Sequence, residues 1–278
     1  MMIKVGIIGY GNMGQAIGER IKHKYAVTAF DKIKSITSKN ITVVKNSIDL
    51  VKQSEVIILA VKPQDFESVL DAIQDSVTAD KLIISIAAGI TTAYLEKYLG
   101  KNRIVRVMPN LPAKIGEGMI CICKGKHAYK KDIDFTKKIF SYMGKTKVIN
   151  NEEMMDDVTA VSGSGPGFFY DYMEKQKIDY QHIDSKIKKD FDLALANSLI
   201  DLKNKWTMDS ALELASITTA GSIALIKAVG STPWELKKQV TSKGGTTEAG
   251  LKVLRGKKEN LSKAVKAAVK RAKELSKE

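Results

Sequence analysis

Cysteine, histidine and arginine are all scarce in this chain, and each scarcity narrows what it does. Only two of the 278 residues are cysteine and three are histidine. Cys121 and Cys123 lie two apart in the alternating run from Met119 to Cys123, which puts both on one face of a strand. With His23, His127 and His182 scattered, no metal-ligating set can be assembled, so no metal is expected. Free thiols in a reducing cytoplasm are the expected state of the pair. Five of the 45 basic residues are arginine (Arg20, Arg103, Arg106, Arg255, Arg271), and the other 40 are lysine. Specific nucleic-acid readers lean on the arginine fork, so no nucleic-acid partner is expected. The net charge of +14 reads instead as solvated lysine faces that draw in anionic substrates and cofactors. Long apolar runs are missing too: stretches such as Val56 to Val61 hold six residues against the ~20 a bilayer needs. No membrane partner is expected. The start, Met1-Met2-Ile3-Lys4, runs straight into a strand-like segment, and a cytoplasmic location is the expectation.

What remains is ordinary globular material, 44% hydrophobic and 27% charged, enough for one large or two medium domains. Ile3–Ile8, Ala26–Phe30, Glu55–Val61, Lys81–Ile86, Arg103–Met108 and Glu117–Cys123 read as short strands, several apolar almost throughout. Helical stretches fall between most of them, at Met13–Lys24, Ser47–Gln53, Phe66–Ile73 and Thr91–Leu99. That alternation predicts a doubly wound α/β domain over residues 1–150. Beyond Asn150 helical periods take over, which predicts an all-α domain over 151–278. Asp209–Val229 reads as a buried helix. Thr232-Pro233-Trp234-Glu235 is a helix start with a capping box. Leu261, Ala264, Val265, Ala268, Val269, Ala272 and Leu275 form one stripe, as in a packed terminal helix.

The motif Gly9-Tyr10-Gly11-Asn12-Met13-Gly14 is GxGxxG at the first strand-to-helix turn. Gly9 permits the tight turn, Gly11 lets backbone approach a pyrophosphate, and Gly14 lets helix and strand pack closely. The helix N-terminus adds unpaired amides for the phosphates. The chain is therefore expected to bind a dinucleotide. Asp31, at the end of the second strand, suits the two ribose hydroxyls of NAD. Lys32 and Lys34 suit the extra phosphate of NADP, so NADPH and NADH both remain open. Late in the chain, Gly244-Gly245-Thr246-Thr247 opens a helical pattern at Glu248–Arg255. The amides of Gly245, Thr246 and Thr247 are expected to converge there on an anion such as a carboxylate. The plainer possibility is that one threonine merely caps that helix.

Four further segments follow the GxGxxG start in order: Ala60-Val61-Lys62-Pro63-Gln64, Val105 to Pro112, Val161-Ser162-Gly163-Ser164-Gly165-Pro166, and Val240 to Leu251. From Lys4 to about Glu274 the chain thereby resembles the pyrroline-5-carboxylate reductase family. The resemblance implies a Rossmann-type α/β N-terminal domain and an all-α C-terminal dimerisation domain, with a homodimer at least. It implies hydride transfer from NADPH or NADH to the imine carbon of Δ1-pyrroline-5-carboxylate, giving L-proline. Thr247 matches the family's catalytic threonine beside the ring nitrogen. Glu152 matches a position near the bound amino acid, so the substrate-binding set is Glu152, Gly245, Thr246 and Thr247. The cofactor set is Gly9, Gly11, Asn12, Met13, Gly14, Asp31 and Lys32, the loops Ala60-Val61-Lys62-Pro63 and Ala87-Ala88, Pro109 and Asn110, and Gln239.

Three departures stand out. Lys243 replaces the family's usual Pro and Leu111 its usual Thr. The stretch from Pro166 to Asp209 is longer than usual, and its residues 173–192 are expected to form an added helical hairpin. Two rivals are a β-hydroxyacid dehydrogenase and a non-enzymatic dinucleotide-sensing regulator. The first needs a Gly-x-x-x-Lys helix that is not found after Gly165, and the second a nucleic-acid-reading motif that is not apparent.

Overall fold

The computed structural model describes residues 2–203, 205–256 and 260–276. The chain divides into two compact units. One comprises Met1–Val107, Ile122–Glu152 and Leu275–Glu278; the other comprises Met108–Cys121 and Glu153–Glu274. The division is not the contiguous one expected at residue 150. Residues 108–121 fall in the helical unit, where the Asn110 side chain ties the segment to itself and to Ser162. Asn110 accepts from the Met119 amide at 3.0 Å and donates to Ser162 Oγ at 3.4 Å. Gly221 lies so close to the Glu117 carbonyl that a β-carbon would collide with it.

The α/β unit carries a sheet in the order β3-β2-β1-β4-β5-β6-β7-β8. Its strands are β1 (Lys4–Ile8), β2 (Ala26–Phe30), β3 (Thr42–Val43), β4 (Val56–Leu59), β5 (Leu82–Ser85), β6 (Arg103–Met108), β7 (Gly118–Lys124) and β8 (Gly144–Ile149). The first six pair in parallel. β4 and β5 are buried from end to end, as strands covered on both faces must be, which is why they read as unbroken apolar runs. The helices are α1 (Asn12–Ile21), α2 (Ser47–Gln53), α3 (Phe66–Ile73), α4 (Thr92–Leu99) and α5 (Lys130–Phe140). Phe66, Leu70 and Ile73 place one face of α3 in the core with Ile57, Leu59 and Ile83. Truncating Leu70 to alanine there costs about 3 kcal/mol. Strand order reverses between β1 and β4, and a doubly wound sheet opens its ligand crevice at that reversal.

The helical unit contains α6 (Met154–Val158), a π-helical turn at Thr159–Gly163, α7 (Gly165–Lys175), α8 (Ser185–Ile200), α9 (Met208–Val229), α10 (Pro233–Val240), α11 (Thr246–Leu254) and α12 (Leu261–Leu275). Thr232 and Glu235 form the expected capping box at the start of α10. Residues 173–192 do not add a hairpin. They are the end of α7, its connection and the first turns of α8, and Phe191 packs on Phe169 and Tyr172 at ring separations of 5.0 and 5.7 Å. Contrary to the expectation of no long apolar segment, α9 is long and apolar enough to cross a bilayer by length and composition. Its Thr218, Thr219 and Ser222 hydroxyls donate to carbonyls one turn back. Hydroxyls spent on the helix's own backbone let a polar sequence behave as an apolar one.

Candidate active site

At the switch point of the α/β unit, β1 runs into Gly9, whose φ of +91° is a left-handed conformation. A β-carbon there would also lie 2.8 Å from the Ala60 carbonyl. Gly14, in the first turn of α1, sits against the Gly9 carbonyl with no room for a side chain. Gly11 is different. It caps α1, no side chain caps that helix, and a β-carbon on Gly11 would meet nothing within 4 Å. The open space is a cavity of about 620 Å³, bordered by Gly9, Gly11, Asp31, Lys32, Ala60, Val61 and Lys62 among others. Free amides at the helix start and an uncrowded backbone are what a pyrophosphate requires, so the residues fit a dinucleotide.

Asp31 closes one end of this crevice. Its Oδ2 accepts from the Tyr10 amide at 2.6 Å, and its Oδ1 accepts from the Ile33 and Lys34 amides at 2.9 and 2.8 Å. Burial works against its ionisation, but these amides, Lys34 first, outweigh it and hold the carboxyl below the usual aspartate range. The carboxylate is thus ionised and already holds the Gly9–Gly11 turn to the end of β2. Tyr10 lies beneath that turn, its phenol pushed up to about 12 by burial and by Glu19, and so neutral. Lys34 reaches back to Gln15 on α1 at 3.0 Å.

Of the other residues expected around the dinucleotide, Asn12 and Met13 form the first turn of α1, and Lys62 and Pro63 open a short 3-10 turn. Ala87 and Ala88 lie in the loop between β5 and α4 and are not among the cavity's lining. Pro109, Asn110 and Gln239 belong to the helical unit, where Gln239 accepts from Lys114 at 3.1 Å. Glu152 falls in the α/β unit with both oxygens engaged. It accepts from the Thr92 amide at 2.8 Å and the Thr92 hydroxyl at 2.5 Å, and it pairs with the buried Arg106 at 3.2 Å. It caps α4 and neutralises a buried guanidinium.

In the helical unit the Gly244–Thr247 turn is held from several sides. Gly244 has φ +71°. Its amide donates to Glu248 Oε2 at 2.9 Å, and its carbonyl accepts from Arg271 Nε of α12 at 2.7 Å. The bond from the Gly244 amide draws the Glu248 carboxyl below its ordinary range. The Gly245 amide donates to the Ser242 carbonyl at 3.0 Å and is therefore not free, contrary to the expectation for it. Thr246 and Thr247, the first two residues of α11, have no helical partner for their amides, and no side chain caps them. The Thr246 hydroxyl is spent on Ser164 Oγ at 3.0 Å. The methyl of Thr247 packs against Gly167, where a β-carbon would stand 2.6 Å away. Thr247 is 4% exposed, and its hydroxyl has no hydrogen-bond partner among the described residues. Two free amides beside one unspent hydroxyl on a buried threonine can grip a small anion that also carries a hydrogen-bonding nitrogen. Arg271 and Glu248 were missed from sequence. A helix-terminal arginine 27 positions away gives no local signal of what it touches.

The crevice, its glycine-led helix start and the carboxylate at the end of β2 fit a dinucleotide-dependent oxidoreductase, and residues 4–89 match a family model described as NADP oxidoreductase coenzyme F420-dependent. Residues 191–276 match the pyrroline-5-carboxylate reductase dimerisation family. Over almost its whole length the chain is similar to pyrroline-5-carboxylate reductases of Methanosarcina acetivorans (36% identical, covering 99% of this chain and 98% of that one) and Pisum sativum (33%, covering 98% and 96%). It is also similar to the crystal structure of Plasmodium falciparum pyrroline carboxylate reductase with NADP bound (TM-score 0.64, 29% identical, covering 99% and 98%). The chain belongs to the pyrroline-5-carboxylate reductase family, whose members are NAD(P)H-dependent oxidoreductases.

Proposed function

We propose that this chain reduces Δ1-pyrroline-5-carboxylate to L-proline with NADPH or NADH, and that Thr246 and Thr247 hold the substrate. The observation that carries it is the Gly244–Thr247 turn, which offers two unpaired amides and an unspent threonine hydroxyl in a chain of this family. When bound, the nicotinamide supplies the hydride that adds to the imine carbon. The α1 N-terminus and the Gly11 backbone take the pyrophosphate, and Asp31 with Lys32 borders the adenosine ribose. The Thr246 and Thr247 amides take the substrate carboxylate. The Thr247 hydroxyl accepts from the protonated imine nitrogen and stays bonded to it as it becomes an amine.

A protonated C=N bond accepts hydride without a strong acid, so the protein's task is to position and desolvate the reactants. Glu152, held by Thr92 and Arg106, braces α4 within the α/β unit. The dimerisation-family match over 191–276 supports a homodimer, and two buried cysteines outside any disulfide suit a cytoplasmic enzyme. The test is the initial rate of NADPH or NADH oxidation with pyrroline-5-carboxylate, beside a 3-hydroxyacid assayed with the oxidised coenzymes. Turnover of the hydroxyacid alone would overturn the assignment.

A further inference from the structure

We infer that Arg271, on the terminal helix, is a positioning residue for substrate, acting through the Gly244 carbonyl; this rests on the function proposed above. The free amides of Thr246 and Thr247 are useful only if the turn before them keeps one orientation. Gly244 holds a left-handed backbone that other settings of a glycine would leave readily. Two charged side chains hold it in place. Arg271 Nε takes its carbonyl at 2.7 Å and Glu248 takes its amide at 2.9 Å, so both polar groups of that peptide residue are fixed. The guanidinium is itself anchored, its Nη1 pairing with Glu274 at 3.0 Å one turn further along α12. Beside the turn lies Thr247, nine-tenths buried with a hydroxyl lacking any partner among the described residues, which marks this helix start as more than a capped end. The Arg271 charge is itself balanced by Glu274, so its role at the turn is to fix the Gly244 carbonyl. A lysine retains that charge but lacks the planar fork that reaches the carbonyl and Glu274 together.

The test measures KM and kcat for pyrroline-5-carboxylate, the coenzyme Kd by fluorescence, and Tm, for the wild type, Arg271→Met and Arg271→Lys. Losing a charge-assisted bond predicts a KM about tenfold higher or more in Arg271→Met, with coenzyme Kd unchanged. Arg271→Lys falls between that variant and the wild type, and it keeps the test open if the methionine variant does not fold. A KM unchanged in the folded variants, with only Tm lowered, overturns the inference and leaves the proposed activity intact. A wild type that never turns over pyrroline-5-carboxylate overturns both.

Discussion

Gly9 and Gly244 each hold a left-handed backbone, at φ +91° and +71°, just ahead of a helix whose first amides are left free. Their surroundings differ in kind. Around Gly9 and Gly14 the constraint is steric, since main chain at Ala60, just beyond β4, and at Gly9 itself occupies the space a side chain would need. Around Gly244 nothing but the far end of Arg271 comes within 4 Å of a β-carbon, and the turn is tied down by charged side chains instead. A turn shaped by exclusion demands glycine and is visible in the sequence. A turn shaped by tethers depends on residues far along the chain. The first is sensitive to added volume; the second is sensitive to backbone dihedral and to loss of its charged partners.

The harshest break of this contrast is Gly14→Ala. Its methyl would press on the Gly9 carbonyl, and overpacking of backbone costs about 3 kcal/mol or more, read as a lower Tm together with lost coenzyme binding. Thr247→Ala is next. It removes the unspent hydroxyl and also the methyl packed on Gly167, so it should lower kcat/KM by about tenfold to a hundredfold together with Tm. Thr247→Ser, which loses only the methyl, should recover most of the rate at a similarly lowered Tm. Equal rates for the alanine variant and wild type would remove the threonine from the chemistry. Gly11→Ala sharpens the steric side: it meets no neighbour, so Tm should hold while coenzyme Kd rises about tenfold, because the methyl enters the crevice.

Gly244→Ala has room but the wrong dihedral, and about 1 kcal/mol of strain should appear mainly as a raised substrate KM. The smallest effect belongs to Asp31. Its folded-state pKa is depressed, so its contribution to stability is complete above about pH 4 and is lost as pH falls through the folded value. Asp31→Asn should flatten that part of an acid-unfolding curve and shift coenzyme choice toward NADPH, measurable as the ratio of kcat/KM for the two coenzymes.

The same division explains what could be read from sequence. Helices α2 and α3 and strands β2 and β6 run over the expected residues, because apolar periodicity and turn residues mark them directly. Strand β3 is two exposed residues, and β8 reads Gly-Lys-Thr-Lys-Val-Ile, so neither has a periodicity to find. Helix α5 is rich in lysine, and burial of Ile133, Thr136, Ile139 and Phe140 defines it more than any apolar stretch does. At the crevice beside the first strand-to-helix turn, Gly9, Gly11, Asp31, Lys32, Ala60, Val61 and Lys62 line one cavity, because the glycine motif and the ends of β1, β2 and β4 mark that place in the sequence. The occupied Gly245 amide and the engaged carboxylate of Glu152 were not legible. Each depends on a partner chosen by the tertiary fold, Ser242 in one case and Thr92 with Arg106 in the other.

Both cysteines lie fully within the fold, and burial, ahead of the nearby Glu152 charge, pushes the Cys123 thiol up to about 11. At neutral pH almost none of it is thiolate, the form that alkylates and oxidises. The native protein should therefore survive purification in air without added reductant, run as a single species on a non-reducing gel, and take up maleimide only after denaturation.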